Sequence, residues 1–284
     1  MRNIPSSLDP VVVATIDARL DAVSDRERVA IPWAIESGSR AWGFPSPDSD
    51  YDCRFVFVRA PEDYLDPWPR RDVIETPLDP VLDVNGWDLV KAVRLLVKGN
   101  ATLVEWLASP IVYRGDAVFR DELLALAEVV VDRAALVRHY AHVGAGQHAL
   151  WADGGRGLKK AFYALRPAAV LRWLRVQPGS TPPMDLRTLL VQGEAPDVLR
   201  EAVDELVALK AVTREMGSGA VPEVVSRFVS DELGLALADG AGSGARAEPR
   251  DPAPGRPRSE AREQAAELFR SAVERYAPAR ADAR

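Results

Sequence analysis

The sequence predicts an α+β protein, in which a small mixed sheet in the N-terminal part is followed by an α-helical part. Short apolar runs bounded by turns rich in Pro and Asp fill the chain up to about residue 85, which is typical of strands. From Gly86 onward, apolar residues recur almost throughout at the helical period. The 284 residues are enough for two domains, and a hydrophobic content of 47% is ordinary for a globular protein.

The sheet-forming part begins with an amphipathic helix, predicted over residues 9–28. Its apolar residues Val12, Ile16, Leu20 and Val23 lie near a 3.6-residue period, so we expect the helix to pack on the sheet with that face. Apolar runs then predict strands at 29–36, 50–59, 71–76 and 80–84.

The helical part is predicted to consist of successive helices joined by short turns. Pro167 falls inside the fifth of them and is expected to kink it, because a proline removes one backbone hydrogen bond and crowds the preceding turn. The predicted helices lie at 87–98, 101–108, 116–129, 133–151, 157–176, 185–191, 197–215 and 222–238.

The C-terminal part contains a stretch at 239–258 that is dense in Gly and Pro and has no apolar periodicity, so it is predicted to be a disordered linker. A last helix, at about 259–276, carries an apolar stripe and is expected to dock on the body of the protein or on a partner. The domain prediction is a core domain at 1–115, a helical domain at 116–238, the linker, and a C-terminal helix with its tail at 259–284.

The charge of the chain is unevenly distributed. A net charge of −6 argues against indiscriminate coating of nucleic acid, because such binding depends on neutralising phosphates. The window from Arg133 to Arg187, called here the basic window, contains nine Lys or Arg and only two acids, so it carries +7 and the remainder −13. Aromatic residues among these cations suit phosphate contact with base stacking. Solvated helix faces with rings turned to the core would give the same pattern, and both interpretations stay open. The aromatic residues are Tyr140, Trp151, Phe162, Tyr163 and Trp173.

The sequence contains no signal for a membrane or an export pathway. No stretch has the apolar length that spans a bilayer, and Asp9, Asp17 and Asp21 interrupt the apolar residues near the N-terminus. A cytoplasmic protein without membrane contact is therefore expected. The single cysteine, Cys53, excludes an internal disulfide and a thiolate metal cluster, and its place beside Asp52 on a predicted strand favours simple packing.

The most informative segment is 36–59, which joins a Gly-Ser turn to two closely spaced carboxylates. Gly38 and Ser39 follow a predicted strand and precede a short segment whose first free amides could face an anion such as a phosphate. Asp50 and Asp52 open the next strand, where the two-residue period puts both carboxylates on one face. Adjacent carboxylates repel each other unless a cation lies between them. Mg²⁺ is the natural occupant, because hard divalent ions take oxygen ligands.

Four stretches of the chain resemble one protein family. ESGSRAWGF at 36–44 and SPDSDYDCRFVFV at 46–58 resemble the signature of the DNA polymerase β-type nucleotidyltransferase superfamily. They are similar in particular to its RlaP type, which is named for its association with RNA ligase and RNA repair. The stretches 85–113 and 158–174 also look like that family, so the resemblance covers roughly residues 30–230. It implies a polymerase-β-like nucleotidyltransferase core followed by a helical domain.

The resemblance implies nucleotidyl transfer, in which an acceptor hydroxyl attacks a nucleoside triphosphate and pyrophosphate leaves. Two Mg²⁺ ions, for which Mn²⁺ can substitute, would be held by Asp50 and Asp52, and a third carboxylate normally completes such a site. Asp83 fits this position best, because it lies between apolar residues on a predicted strand, as the superfamily's pattern has it. Asp79, in a Pro turn, and Asp88, in the first turn of a helix, fit less well.

Nucleotide-binding residues are implied at two places. Gly38 and Ser39 would hold the terminal phosphates through backbone amides, and Arg40 would add a cationic fork. A tight turn alone would also explain Gly38. On the predicted helix 157–176, resemblance to the family assigns four more residues to nucleotide or RNA phosphate, with a solvated helix face as the alternative. These four are Lys159, Lys160, Tyr163 and Arg166.

The sequence therefore supports a Mg²⁺-dependent nucleotidyltransferase that transfers a nucleoside monophosphate from an NTP such as ATP to a hydroxyl. An RNA end is the favoured acceptor, and an RNA-repair ligase is a candidate partner, both from the family association. One alternative is a catalytically quiet nucleotide- or RNA-binding component of an RNA-repair system. Another is a nucleotidyltransferase that acts on a small molecule or a protein side chain. The base, the acceptor and the oligomeric state are left open by the sequence.

Overall fold

The structure is a computed structural model that describes residues 1–77, 79–152, 158–179, 181–213, 221–241 and 258–279. Within these residues it contains a five-stranded mixed sheet in the N-terminal part and twelve helices, most of them after the sheet. The predicted α+β class, a mixed-sheet core followed by helices, is thereby confirmed. None of the described helices is long and apolar enough to cross a membrane.

The sheet brings together strands that are distant in sequence. Its order is β3-β4-β2-β1-β5, and β2 pairs with β4 in parallel while the other neighbouring strands are antiparallel. A parallel pair requires a crossover connection, which here runs through a short helix and the edge strand β3. The strands are β1 (Ala30–Glu36), β2 (Tyr51–Val58), β3 (Val73–Glu75), β4 (Leu82–Asp88) and β5 (Val112–Gly115).

The helices surround the sheet in the first half of the chain and continue as a helical array in the second. In the first half they are α1 (Pro10–Glu27), α2 (Gly38–Ala41), α3 (Pro61–Leu65), α4 (Leu89–Val97), α5 (Ala101–Leu107) and α6 (Ala117–Val130). In the second half they are α7 (Arg133–Ala152), α8 (Leu158–Val176), α9 (Leu186–Gln192), α10 (Asp197–Val212), α11 (Glu223–Ala241) and α12 (Arg258–Tyr276).

The chain divides into two compact units. The first comprises Met1–Gly38, Asp50–Val130 and the segment that carries α12, and the second comprises Ser39–Ser49 with helices α7 to α11. This grouping differs from the predicted domain boundaries at three places, because α6 and α12 lie with the sheet and residues 39–49 lie with the helical array. Of the predicted linker, residues 242–257 lie outside the described residues.

Helix α1 covers one face of the sheet, as its periodicity predicts. The carboxylate of Asp9 caps the helix by accepting a hydrogen bond from the backbone N–H of Val11. The buried positions are Val13, Ile16, Leu20 and Val23, and they join strand residues in one hydrophobic core. The sheet and α1 therefore form two layers that pack around one hydrophobic core.

Strand β4 is longer than the sequence predicts. The predicted strand ends at residue 84, but the observed strand continues to Asp88. Pairing with β2 continues through these residues, so tertiary pairing overrides local preference. Gly86 is needed here because a Cβ atom at this position would lie 2.1 Å from the Phe55 ring.

Strand β5 was not predicted and contradicts the expectation of an almost wholly helical chain after Gly86. Three of its four residues, Val112, Arg114 and Gly115, pair with β1. A run of four residues is too short for its pattern to distinguish a strand from a connection between helices. The strand places the side chain of Tyr113 inside the core, with no exposed surface. Helices α2 and α3 were also missed, because each is only one turn long.

Helix α12 packs on the first unit rather than standing free. The Phe269 ring meets the Tyr64 ring edge to face at 5.0 Å, and the Tyr276 ring meets Phe119 at 5.3 Å. The guanidinium of Arg275 also donates to Glu122 at 2.9 Å. The expectation that this helix docks on the body of the protein is confirmed.

The second unit has its own core, which includes the segment 39–49. Phe44 of this segment is fully buried and stacks on Phe162 of α8 at 4.8 Å. The ammonium of Lys210 on α10 lies 4.6 Å from the Phe44 ring centre and 5.1 Å from that of Phe162. Helix α8 stays continuous across Pro167, and the predicted kink there stays a prediction.

Candidate active site

Two aspartates from distant parts of the chain are direct neighbours in the sheet. Asp52 on β2 and Asp83 on β4 are paired residues in the parallel register. Both side chains lie on the half-exposed face of their strands, at 29% and 32% exposure, while the alternating residues Tyr51, Cys53 and Val84 point into the core. The two strand aspartates that the sequence assigns to the metal site are thus adjacent in the sheet, and their metal-binding role stays a prediction.

Arg54 lies between these two carboxylates. Its Nη2 donates to Asp52 Oδ1 at 3.1 Å and to Asp83 Oδ2 at 2.7 Å. Its Nη1 donates to the backbone carbonyl oxygens of Cys53 at 3.1 Å and of Asp83 at 2.9 Å. The second oxygen of Asp83, Oδ1, accepts from the amide Nδ2 of Asn85 at 2.5 Å. A cationic group therefore compensates the charge of both aspartates.

The Gly38 turn lies against the carboxylate of Asp52. Gly38 has a φ of +62°, in the left-handed region that favours glycine, and an added Cβ would lie 2.1 Å from Asp52 Oδ2. The backbone N–H of Ser37 donates to the Asp52 carbonyl oxygen at 2.8 Å, which keeps the turn beside β2. Both the conformation and the close approach require a glycine, so the tight-turn interpretation and the site interpretation of Gly38 are compatible.

A buried glutamate on the neighbouring strand β1 supports Asp52. Glu36 at the end of β1 has no exposed surface, and its Oε1 accepts from the backbone N–H of Asp52 at 2.9 Å. Its Oε2 accepts from the hydroxyl of Tyr113 at 2.5 Å. Burial and the neighbouring Glu36 carboxylate raise the pKa of Tyr113, so this hydroxyl keeps its proton and remains a donor. Burial likewise raises the pKa of the Cys53 thiol, which has no exposed surface.

Asp50 and the two rejected aspartates have different surroundings. Asp50 is exposed and precedes the first residue of β2, so it is outside the strand that was predicted to carry it. Asp79 accepts from the backbone N–H of Val81 and pairs with Arg19 at 2.8 Å on the surface.

Asp88, which the sequence places in the first turn of a helix, is a buried carboxylate that caps α4. It caps α4 by accepting from the Val90 N–H, pairs with Arg59 at 3.1 Å and accepts from the Tyr64 hydroxyl. Burial raises the pKa of Asp88, against these hydrogen bonds, which act in the opposite direction. These contacts assign Asp88 to the packing of α4 and α3.

The residues at Asp52 and Asp83 fit a hard divalent cation. Carboxylate oxygens are the ligands that such ions prefer, and the guanidinium of Arg54 shows that this pair accommodates positive charge between its two members. Within the part of the chain that the structure describes, no group of three His, Cys, Asp or Glu side chains is arranged to hold a metal ion. The structure thus brings two of the three predicted metal ligands together.

In the second unit, the two ends of the segment 39–49 are held together by polar contacts. The Oγ atoms of Ser39 and Ser49 are 3.0 Å apart, and Arg40 Nη2 donates to the Ser49 carbonyl oxygen at 2.6 Å. The backbone N–H of Phe44 donates to the Ser39 carbonyl oxygen at 3.0 Å. Arg40 therefore closes this loop in the structure, and its predicted contact with phosphate stays a prediction.

The four α8 residues assigned to phosphate differ in their accessibility. The side chain of Lys159 lies outside the described residues, and Lys160 is exposed. Tyr163 meets the ring of Trp42 edge to face at 5.7 Å. Arg166 is buried, donates to the Met184 carbonyl oxygen at 3.1 Å, and lies 4.7 Å from the Trp42 ring centre. Of the described side chains in this set, Lys160 is the most available to a ligand.

The basic window is largely engaged in contacts within its own unit. Arg172 and Arg175 pair with the buried carboxylate of Glu232, and Arg133 donates to the carbonyl oxygens of Gln177 and Gly179. Three of its five aromatic residues are buried, namely Tyr140, Phe162 and Trp173. These contacts favour the interpretation in which aromatic rings face the core. Among the described cations of the window, the exposed Lys160 is therefore the best candidate for contact with phosphate.

The sequence reasoning missed Arg54, Asn85 and Tyr113 as parts of the site. The signal for Arg54 was present, because an arginine two residues after Asp52 on a strand shares the face of that aspartate. Asn85 stands in the same relation to Asp83 on β4. Tyr113 gave no such signal, since the strand that positions it was not predicted.

Two comparisons with known proteins show what this chain is similar to. Residues 12–251 match the model of the RlaP family, described as the RNA repair pathway DNA polymerase beta family. The chain is also similar to YcgL, an uncharacterized protein of Bacillus subtilis (strain 168), with 38% identity over 206 residues that cover 72% of this chain and 79% of YcgL. On this evidence, the chain belongs to the RlaP family of polymerase-β-like, nucleotidyltransferase-type proteins.

Proposed function

We propose that this protein is a Mg²⁺-dependent nucleotidyltransferase that transfers a nucleoside monophosphate from an NTP to a hydroxyl group. The observation that carries the proposal is the in-register pairing of Asp52 and Asp83 on the parallel strands β2 and β4, with their carboxylates compensated by one cation. Membership of the RlaP family supports a nucleotidyltransferase-type role. The family's description also supports an RNA end as the acceptor.

Each carboxylate has a task that follows from its position. Asp52 and Asp83 would hold the Mg²⁺ ions together with Asp50, and Asp83 would lie on the side where the acceptor hydroxyl loses its proton. When bound, Mg²⁺ would neutralise the triphosphate and activate the acceptor hydroxyl. Glu36 fixes the backbone of Asp52 by accepting its N–H, so the metal-binding oxygen atoms are presented by a rigid strand.

The assignment of phosphate ligands rests on the family resemblance and on exposure. Ser39, Arg40 and the lysines Lys159 and Lys160 are proposed to bind triphosphate or RNA phosphate. Arg166 and Tyr163 are proposed to act through packing on Trp42, which is where their contacts lie. By packing there, the Arg166 guanidinium and the Tyr163 ring would hold α8, the helix that carries the exposed Lys160, in place.

A catalytically quiet nucleotide- or RNA-binding protein is a second candidate, favoured by one observation. The guanidinium of Arg54 already compensates Asp52 and Asp83, so the fold does not need a metal ion to balance these charges. A small-molecule or protein acceptor is a third candidate, since most described cations of the basic window have partners inside the unit.

The test is a transfer assay with each of the four α-³²P-labelled NTPs. Protein and Mg²⁺ are incubated with RNA of defined ends, with total RNA, with a protein lysate and with small hydroxyl compounds, and the labelled product is identified. Label on an RNA end that is lost in Asp52→Asn and Asp83→Asn supports the proposal. Asp79→Asn serves as the matched control, because Asp79 has the same chemistry in a surface pair with Arg19.

The other outcomes separate the candidates. Label on protein or on a small hydroxyl compound would keep the reaction class and replace the acceptor. Nucleotide binding without transfer to any acceptor, in a preparation that binds Mn²⁺, would favour the quiet binding protein. Transfer that persists in Asp52→Asn would contradict the role assigned to the β2 and β4 carboxylates.

A further inference from the structure

We propose that Arg54 is a built-in counter-ion that competes with divalent metal for Asp52 and Asp83, and that it thereby sets the metal affinity of the site. This inference rests on the proposed function, because it concerns the same two carboxylates. It goes beyond that function by assigning a role to a cation that was absent from the predicted set of site residues.

The contacts of Arg54 are of two chemical kinds. Nη2 donates to one carboxylate oxygen of Asp52 and one of Asp83, whereas Nη1 donates to two backbone carbonyl oxygens, those of Cys53 and Asp83. The carbonyl contacts anchor the guanidinium to the sheet without using a metal-ligating atom. A metal ion therefore needs to displace only the Nη2 contacts.

The charge balance makes this competition strong. Two carboxylates on adjacent strands, each about one-third exposed, lie close enough to repel each other. Arg54 is only 19% exposed on its side chain, and its guanidinium charge brings the pair to a net charge of −1 instead of −2. A divalent cation that enters the site must overcome the repulsion by the positive charge of Arg54 as well as bind the oxygens.

The two oxygens of each carboxylate have different surroundings while Arg54 is bound. Each aspartate gives one oxygen to Nη2, and Asp52 Oδ2 is the atom that lies against the Gly38 turn. Asp83 Oδ1 accepts from Asn85. The structure therefore assigns one oxygen of each carboxylate to Arg54 and leaves its partner oxygen to a different contact, which suits a site where cations exchange.

The experiment measures Mn²⁺ binding by the metal-free, nucleotide-free full chain with calorimetry and with the EPR signal of free Mn²⁺. The variants are Arg54→Gln, Arg54→Lys and Asp52→Asn. Arg19→Gln is the matched control, because it removes the same charge from a surface pair with Asp79. We expect Arg54→Gln to bind Mn²⁺ about tenfold or more tightly than the wild type, since ligand charge sets affinity at such sites.

The remaining variants define the cause. Arg54→Lys keeps the charge and should bind Mn²⁺ within a few-fold of the wild type, and Arg19→Gln should be unchanged. Without metal, Arg54→Gln should melt at a lower temperature than the wild type and should gain more from added Mn²⁺. If Arg54→Gln does not fold without metal, it is purified in Mn²⁺, and its unfolding midpoint against Mn²⁺ concentration gives the affinity.

The outcomes distinguish this inference from the function on which it rests. Mn²⁺ binding that is the same in the wild type and Asp52→Asn would overturn the metal site and both proposals with it. Binding that depends on Asp52 but is unchanged or weaker in Arg54→Gln would leave the proposed function standing and overturn the competition. A weaker affinity would mean that Arg54 holds the carboxylates in position for the metal.

Discussion

The family signature between residues 36 and 58 falls into two regions with different physical roles. Residues 50–58 and the turn at Gly38 belong to the sheet unit, where charged groups meet each other through hydrogen bonds. Residues 39–49 belong to the helical unit, where cations from α8 and α10 lie over the rings of Trp42 and Phe44. One continuous motif thus serves both a candidate site and a hydrophobic core. The presence of a residue in the signature therefore does not show whether it belongs to the candidate site or to the core.

The largest expected effect is a loss of transfer activity that is confined to the site region. Asp52→Asn and Asp50→Asn should each lower transfer by at least about 10³-fold, more than the loss of a single stabilising hydrogen-bond donor, because each removes a metal-ligating charge without changing side-chain volume. The melting temperature should stay near that of the wild type. Steady-state transfer and thermal melting measure the two quantities, with Asp79→Asn as the control. Normal turnover in either variant would remove that aspartate from the site.

A second prediction breaks the packing region. Phe44→Ala should lower the free energy of unfolding by about 3–5 kcal/mol, because the ring is fully buried and contacts both Phe162 and the ammonium of Lys210. Denaturant titration measures this loss. Trp68→Ala, at a ring that is 81% exposed, is the control and should change stability little. An equally small loss at Phe44 would show that residues 39–49 do not belong to the helical core.

A third prediction sharpens the boundary between the two regions. Gly38→Ala should cost about 1–3 kcal/mol of stability, since it places a Cβ in the left-handed region and against the Asp52 carboxylate. It should also weaken Mn²⁺ binding, because the clash moves Asp52. Gly146→Ala, in α7 with no atom within 4 Å of the added Cβ, is the control and should be neutral or slightly stabilising. Unchanged Mn²⁺ affinity in Gly38→Ala would separate the turn from the site.

A fourth prediction concerns the hydrogen bond between Tyr113 and Glu36, which supports Asp52, and the pH dependence of stability that it causes. The pKa of Tyr113 is raised above its ordinary value of 10.0, so below pH 10 the hydroxyl is protonated in both the folded and unfolded states and its contribution is complete. As the pH rises above 10, the unfolded chain ionises first, and stability falls by about 1.4 kcal/mol per pH unit for this group.

Tyr113→Phe tests this expectation by removing the ionising group. The variant should lose about 1–3 kcal/mol at pH 7, because Glu36 loses a donor in a buried site, and should show a shallower loss of stability above pH 10. Urea unfolding at several pH values gives both numbers. An identical alkaline slope in the two proteins would mean that the Tyr113 hydroxyl is not buried against Glu36.

The smallest expected effect concerns α8. Lys159→Ala combined with Lys160→Ala should weaken RNA or NTP binding modestly, and the slope of log affinity against log salt should become shallower by about 0.7 for each lost phosphate contact with a single strand. Binding titrations at several salt concentrations, with NTP and a short RNA as separate ligands, measure the change. Arg227→Ala, at an exposed cation on α11, is the control. Identical slopes would mean that the two lysines only form a solvated face of α8.

The sequence predicted the helices and strands of the fold better than it predicted which of them pair with each other. Helix α1, strand β2 and the pair Asp52 and Asp83 follow from local periodicity and from the family pattern. Strand β5 and the end of β4 could not be read in this way, because both depend on neighbours supplied by distant parts of the chain. Tyr113, which β5 positions, was missed for the same reason.

The site residues show the same limit from another side. Arg166 was predicted to contact phosphate because it lies in a stretch similar to the family, but the structure buries it against Trp42. Arg54 lies in the signature itself, and the two-residue period places it on the face of Asp52, but its contact with Asp83 on another strand has no signal in the sequence. Its role depends on the register between β2 and β4, which only the folded sheet defines.

The burial of Cys53 gives the protein a natural reporter. It is the chain's one cysteine, it lies on β2 between Asp52 and Arg54, and burial raises the pKa of its thiol, so the reactive thiolate is suppressed while the strand is in place. A thiol reagent can reach it only when the core between the sheet and α1 opens. The rate of labelling at this atom would therefore follow the opening of the core behind the strand that carries the candidate site, in the unmodified protein and without an engineered probe.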